Sequence, residues 1–231
     1  MQKKINFHDR LGTAMFLTFI GGFLDAYCVI LRGGVFASAQ TGNIVFIGVD
    51  IATNQWSELT DKVMPIIAFG IGVIIVQVAR RHFNTAHLNI WRLWLLAFQI
   101  IVLVIVGFMP TSVPNMIVTT MLSMSMATQL ASYSTVNGYP YANTFTTGNY
   151  RKLVENCYLF IATKEKKYQQ KAKYFGLIVG SFFTGTIGSG FLVKVINVRA
   201  AWLAAALLAI FFALQLYFTE EVIAETKKMS R

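Results

Sequence analysis

Charge is scarce in this chain of 231 residues. Asp, Glu, Lys and Arg together make up 13% of it, against the roughly 25% that a soluble domain carries. Apolar residues reach 55% and the mean hydropathy is +0.56. A water-soluble globule is therefore excluded, and so is disorder, because this much apolar surface cannot be left in water. Cysteine is nearly absent: Cys28 and Cys157 have no Cys or His neighbour at metal-ligand spacing and make no disulfide framework. The histidines His8, His82 and His87 are too scattered for a zinc site. No nucleotide-binding loop, Ser/His pair or paired carboxylates occur, so no enzymatic activity, metal or cofactor is expected. An integral membrane protein remains, with the lipid bilayer as its first partner.

A spanning helix needs ~20 mostly apolar residues. Leu11–Leu31 is apolar except for Asp25, and 63–79, 174–193 and 200–219 carry no charge. From Leu93 to Tyr150 there is not one Asp, Glu, Lys, Arg or His. That run is too long for one crossing, and Pro110 and Pro114 divide it, since proline ends or starts helices. The expectation is an all-α membrane protein with six transmembrane helices, at about 11–31, 63–79, 91–109, 114–136, 174–193 and 200–219.

Charge sets the orientation. With both termini cytoplasmic, only Arg32, Lys62, Lys194 and Arg199 of the 20 Lys+Arg lie outside, as the positive-inside rule requires. The net charge of +10 is then topogenic, and no nucleic-acid partner is expected. Lys3, Lys4 and Arg10 ahead of an apolar run ending in Ala37-Ser38-Ala39 look like a signal peptide. Asp25 interrupts that run, however, and it exceeds the ~7–15 residues of an h-region.

The chain repeats itself weakly. Thr41-Gly42-Asn43 recurs as Thr147-Gly148-Asn149, Phe69-Gly70 as Phe175-Gly176, and Val73 as Val179, all 106 residues on. With a one-residue slip, Ala26 matches Ala131 and Gly33 matches Gly138. The halves 1–110 and 111–231 each hold a helix, a polar Gly-rich segment carrying TGN, and two more helices. Three crossings per half place the second half upside down, an inverted repeat of the kind secondary transporters use. The segments 35–49 and 139–150 are uncharged, too short to cross and too apolar for an ordinary loop. They are expected to be broken, re-entrant elements whose tips meet inside the bilayer, where irregular backbone survives only beside protein or a wet cavity.

Thr41 and Thr147 are expected to cap helices there, with Gly42 and Gly148 allowing a ligand close to the backbone. Free N–H groups at such helix starts would hold an anion or polar group. Asn43, Asn149, Gln40, Asn143 and Gln129 complete the expected substrate-binding set. The alternative is a structural turn that stabilises a helix break. Asp25, the acid within the first helix, is expected to carry a proton, bind a cation or hold a substrate donor, since intramembrane carboxylates face cavities or partners. Its alternative is an ion pair with Arg32, unless that arginine snorkels outward.

Other features read as packing. Gly176, Gly180, Thr184 and Gly188, flanked by Ser181, Gly185 and Ser189, let helices approach within the bundle or across a homodimer. Trp91, Trp94 and Trp202 fit an interfacial belt. Met116, Met121, Met124 and Met126 are core filler. Asn143, Thr144, Thr146 and Tyr141 are expected to line the second broken segment. Lys164–Lys173 reads as a soluble basic connector against anionic head groups.

Gly21-Gly22-Phe23-Leu24-Asp25-Ala26, Gly33-Gly34-Val35-Phe36 and Thr41-Gly42-Asn43 resemble the N-terminal signature of the YoaK-type family of bacterial inner-membrane proteins. Gln129-Leu130-Ala131 and Thr147-Gly148-Asn149 resemble that family's second-half segments, with Leu130 in place of the usual Asn. The resemblance covers essentially the whole chain and implies a small six-helix protein of the bacterial cytoplasmic membrane. The paired broken segments also look like the crossing elements of nucleobase and sulfate transporters, an analogy of fold alone. The expected function is a secondary transporter of a small polar or anionic solute. The alternatives are a channel, or a membrane-embedded sensor or scaffold.

Overall fold

The computed structural model describes residues 7–83 and 90–229, with side chains as far as Thr219. It is built from helices: α1 Leu11–Leu31, α2 Gln40–Ala52, α3 Leu59–Phe83, α4 Trp91–Phe108, α5 Asn115–Ser132, α6 Thr147–Thr163, α7 Lys166–Ile196 and α8 Ala200–Met229. A hairpin of strands β1 Thr135–Val136 and β2 Tyr139–Pro140 lies between α5 and α6. Four stretches are long and apolar enough to cross a bilayer: Leu11–Leu31, Trp56–Phe83, Trp91–Phe108 and Lys166–Thr219, the last holding α7 and part of α8. Helix α5 is absent from that set because Ser, Thr and Gln interrupt its apolar residues. It is instead mostly buried, with Val118, Leu122 and Met126 fully inside the core.

Backbone chemistry ends the elements. Helix α1 stops at Arg32 where Gly33 and Gly34 take φ of 74° and 75°, a region costly for other residues. The hairpin turns on Asn137 and Gly138, with φ of 48° and 79°. Between α4 and α5 stand Pro110 and Pro114, the latter at the N-cap of α5.

Helices pack in exchanged pairs. Helix α1 lies on α7 and α5 on α3, while α2 packs on α3, α6 on α7, and α4 on α8. Swapping α1–α4 with α5–α8 maps this set onto itself. A Cβ on Gly22 would strike the Phe182 carbonyl, and one on Gly185 the Phe19 carbonyl. Ala14 meets Phe175 and Ile178 near the helix starts, and Tyr27 reaches Val198 past the far end, so α1 and α7 run the same way. Ser123 bonds Pro65 and Arg80 bonds Ala131, with Gly72 against Met124 between them, so α3 and α5 also run together. Helices α1 and α5 run oppositely: Gln129 bonds Leu17, and Gly33 sits against Asn115.

Several expectations need correcting. The Lys164–Lys173 connector is mostly helix, because α7 starts at Lys166 after a left-handed Lys164 with φ of 58°. The segment expected at 114–136 stops at Ser132, and Tyr139–Pro140 is strand. Trp91 is buried beneath Arg80 and Arg92, whose guanidinium carbons lie 5.7 and 4.5 Å from its ring centroid, and Trp202 packs on α4, donating to the Val104 carbonyl. In the small-residue stripe, Gly185 and Ser189 face inward, while Gly180 and Thr184 are exposed.

Candidate functional site

Before α2 and before α6 the chain runs as irregular backbone, bent at 37–38 and 143–144, with Val35, Ala37, Ser38, Tyr141, Asn143 and Thr144 buried. Irregular backbone without a ladder partner leaves peptide groups unpaired, which is costly away from water. One asparagine answers this in each half. Asn43 Oδ1 accepts from the Phe36 N–H at 2.9 Å, and its Nδ2 donates to the Phe36 carbonyl at 2.8 Å. Asn149 does the same for Ala142, at 3.2 and 2.6 Å. A carboxamide presents a donor and an acceptor side by side, as a ladder partner would. Both asparagines are buried, and both clamps reach back seven residues.

This corrects the role expected of the threonines. Helix α2 has Ala39 at its N-cap and α6 has Thr146, neither with a side-chain cap bond. Thr41 and Thr147 are exposed in the first helical turns, as is Gly148. Gly42 lies under the Phe36 ring, which stacks on Phe46 with centroids 6.2 Å apart.

The two irregular segments meet at Ser38 and Thr144. The Ser38 N–H donates to Asp25 Oδ1 at 2.8 Å. Its hydroxyl oxygen lies 2.7 Å from Asp25 Oδ2 and 2.6 Å from the Thr144 carbonyl. A serine hydroxyl has one proton, so it cannot donate to both. Both contacts are satisfied when the Asp25 carboxyl carries a proton and donates it to Ser38 Oγ, which donates onward to Thr144. Asp25, Ser38 and Thr144 are all buried. Gly21, one turn before Asp25, makes room: a Cβ there would collide with the Asn143 carbonyl.

From Thr144 the polar line continues through its neighbour Asn143. Gln129 donates to Asn143 Oδ1 at 3.1 Å and to the Leu17 carbonyl at 3.0 Å, and accepts from Gln99 at 3.0 Å. Asn143 donates to the Tyr133 carbonyl at 2.5 Å. On the other side, Gln40 donates to the Ala37 carbonyl at 3.0 Å and to Ser123 Oγ at 2.8 Å, and accepts from Asn43 at 2.8 Å. The fold thus brings Asp25, Asn43, Gln129, Asn143 and Asn149 into its interior, leaves Gln40 and Gly42 half-buried, and leaves Thr41, Thr147 and Gly148 exposed. Ser38, the hub, enters the sequence reading only within the Ala37-Ser38-Ala39 triplet. Its signal is its spacing from Thr144, which equals that of the two TGN triplets. The Thr144 and Thr146 hydroxyls are buried without partners among the described residues.

Arg32 is not the partner of Asp25, nor does it snorkel. It is fully buried and donates to the Met109 and Pro110 carbonyls at 2.7 and 3.1 Å. It therefore caps the C-terminal end of α4 from its own place at the end of α1, where two helix dipoles present negative charge. Lys62 donates to the carboxylates of Asp50 and Glu58, tying the end of α2 to α3. Among the described residues no cluster of His, Cys, Asp and Glu could hold a metal ion.

Comparison with known proteins adds no chemistry to this geometry. No curated protein and no solved structure matches the chain. Residues 13–214 match the model of one protein family, a span that takes in every residue of the buried polar line. The chain belongs to the DUF1275 family, whose description is "protein of unknown function".

Proposed function

We propose that this chain is a secondary transporter of a small polar or anionic solute, with its site where the two broken segments meet. In this reading it is a YoaK-type protein of the bacterial cytoplasmic membrane with six spans, both termini inside, and two inverted halves. The opposite directions of α1 and α5 support the inversion, as does the exchange of helix pairs. The duplicated asparagine clamp, with the same seven-residue reach, supports the repeat. The Lys166–Thr219 stretch spans 54 residues, too many for one crossing at ~1.5 Å per residue, and counts as two.

The observation that carries the proposal is the contact of Ser38 with both Asp25 and Thr144. It joins a carboxyl of the first half to the backbone of the second through one hydroxyl. Rocking one half against the other would part Ser38 from Thr144 and open the Asp25 carboxyl to water or solute. The carboxyl would then release the proton that the closed geometry needs, which couples opening to proton movement. Flux into proteoliposomes, screened over small carboxylates, phosphates and polar neutral solutes with and without a pH gradient, tests this. Gradient-driven uptake that Asp25→Asn abolishes in a folded protein is the expected result.

A second reading is a membrane-embedded sensor or scaffold. The engagement of Asn43 and Asn149 with their own preceding segments favours it, since both carboxamides are already spent on holding backbone. Absence of flux or single-channel current for every solute class, together with a soluble partner retained by the purified protein, would select it.

A further inference from the structure

The first turns of α1 and the middle of α8 leave a cleft of about 390 Å³ between them, lined by Phe7, Gly12, Phe16, Leu207 and Phe211 with Arg10 at its edge. The walls are apolar and the rim carries a cation. Arg10 lies with its guanidinium carbon 4.7 Å from the Phe218 ring centroid and 5.8 Å from that of Phe7. Stacking engages the face of a guanidinium and leaves its in-plane N–H groups to bind phosphate oxygens. Gly12 opens the cleft, because a Cβ there would meet nothing within 4 Å.

We propose that this cleft is a binding site for one anionic phospholipid, an acyl chain lying along Phe16 and Phe211 and the headgroup phosphate on Arg10. The proposal rests on the chain residing in a bilayer and is independent of transport. Charge complementarity decides the occupant: an apolar slot alone would take any chain, whereas a fixed arginine at its rim prefers a lipid with net negative charge over a zwitterion. Free phosphate meets the same arginine but gains nothing from the apolar walls.

The test is the thermal midpoint of delipidated protein in a neutral detergent, read with added phosphatidylglycerol, phosphatidylcholine of matched chains, or inorganic phosphate. Phosphatidylglycerol should raise the midpoint by about 5 °C at saturation, phosphatidylcholine by clearly less, and phosphate not at all. Arg10→Gln should bring the two lipid shifts together. Gly12→Leu should fill the slot and cancel both, without lowering the lipid-free midpoint, since leucine is a better helix former and has room. Native mass spectrometry of the wild-type protein reads the preference without a variant, as one phosphatidylglycerol retained over phosphatidylcholine. Equal shifts or equal retention for the two lipids, a phosphate shift matching the lipid's, or an undiminished shift in Gly12→Leu would overturn the proposal.

Discussion

The Ser38 hydroxyl oxygen and the Thr144 carbonyl oxygen stand 2.6 Å apart in space and 106 residues apart in sequence, the same separation as the two TGN triplets. The contact joins the segment before α2 to the segment before α6, and Asp25 lies one hydroxyl away from it.

Proton counting at this junction has a consequence for Asp25→Asn. An asparagine there can accept from the Ser38 N–H and donate to Ser38 Oγ, as a protonated carboxyl does. The substitution is therefore expected to change unfolding stability by less than about 0.5 kcal/mol, the range of a silent change, while abolishing gradient-driven uptake. Ser38→Ala leaves the carboxyl and the Thr144 carbonyl without their shared partner and should cost about 1–3 kcal/mol. Unfolding in a mixed-micelle titration measures both. A destabilisation by Asp25→Asn as large as that by Ser38→Ala would mean that Asp25 is ionised here.

The asparagine clamps separate two roles within each TGN triplet. Asn43→Ala and Asn149→Ala strip the partners from both peptide groups of Phe36 and of Ala142, with an expected loss of about 2–3 kcal/mol apiece. Thr41→Ala and Thr147→Ala touch exposed side chains that cap nothing and should stay within about 0.5 kcal/mol. The same unfolding titration reads all four. Silent asparagines beside costly threonines would reverse the assignment.

Much of this was legible in the residues. The uncharged runs and the two prolines locate α1, α3, α4, α5, α7 and α8 to within their ends, because hydropathy and proline act locally, whereas α6 is too polar to be read this way. The roles within the site were less legible. That Asn43 pairs with the backbone of Phe36 depends on a chain reversal between them, and that Arg32 serves α4 depends on which helix ends lie together. Neither is a property of sequence spacing. The Gly21-Gly22-Asp25 pattern was visible as a signature, but its reason is tertiary: one glycine admits the Asn143–Thr144 backbone, the next admits α7, and the acid meets Ser38. The hairpin was missed although Asn137-Gly138 is a strong turn signal, because the apolar run before it reads as continuing helix.

Glycines on α7 and α1 divide by what they face. Gly22→Ala and Gly185→Ala push a methyl into a neighbouring backbone, which cannot yield as a side-chain tip can. Each should cost at least about 1–3 kcal/mol, the range for overpacking. Gly180→Ala meets nothing within 4 Å and should stabilise by about 0.5–1 kcal/mol, as alanine does in a helix interior. Thermal midpoints of the three proteins in one detergent decide it. A loss in Gly180→Ala accompanied by a shift from dimer to monomer would instead place that exposed face in a homodimer.

The turn Phe7–Asp9 gives the fold an acid-sensitive point. The Asn137 N–H donates to the Asp9 carbonyl at 2.7 Å and the Gly138 N–H to Asp9 Oδ2 at 2.9 Å, docking the turn on the hairpin. His8, in the same turn, is half-buried. Burial, followed by the positive charge of Arg92, lowers its pKa from 6.5 to about 4, against a smaller opposing pull from Asp9. The imidazole is thus neutral in the folded protein at pH values where the unfolded chain already protonates it. Between about pH 4 and 6.5 the unfolded state binds more protons, so stability rises with pH through this window and the contribution is complete above it. The expected result is a His8 ring resonance titrating near pH 4 in a micelle-bound NMR spectrum, and a thermal midpoint that falls on acidification from pH 6.5. A His8 midpoint at 6.5 would mean that the turn is undocked in solution and the imidazole free in water.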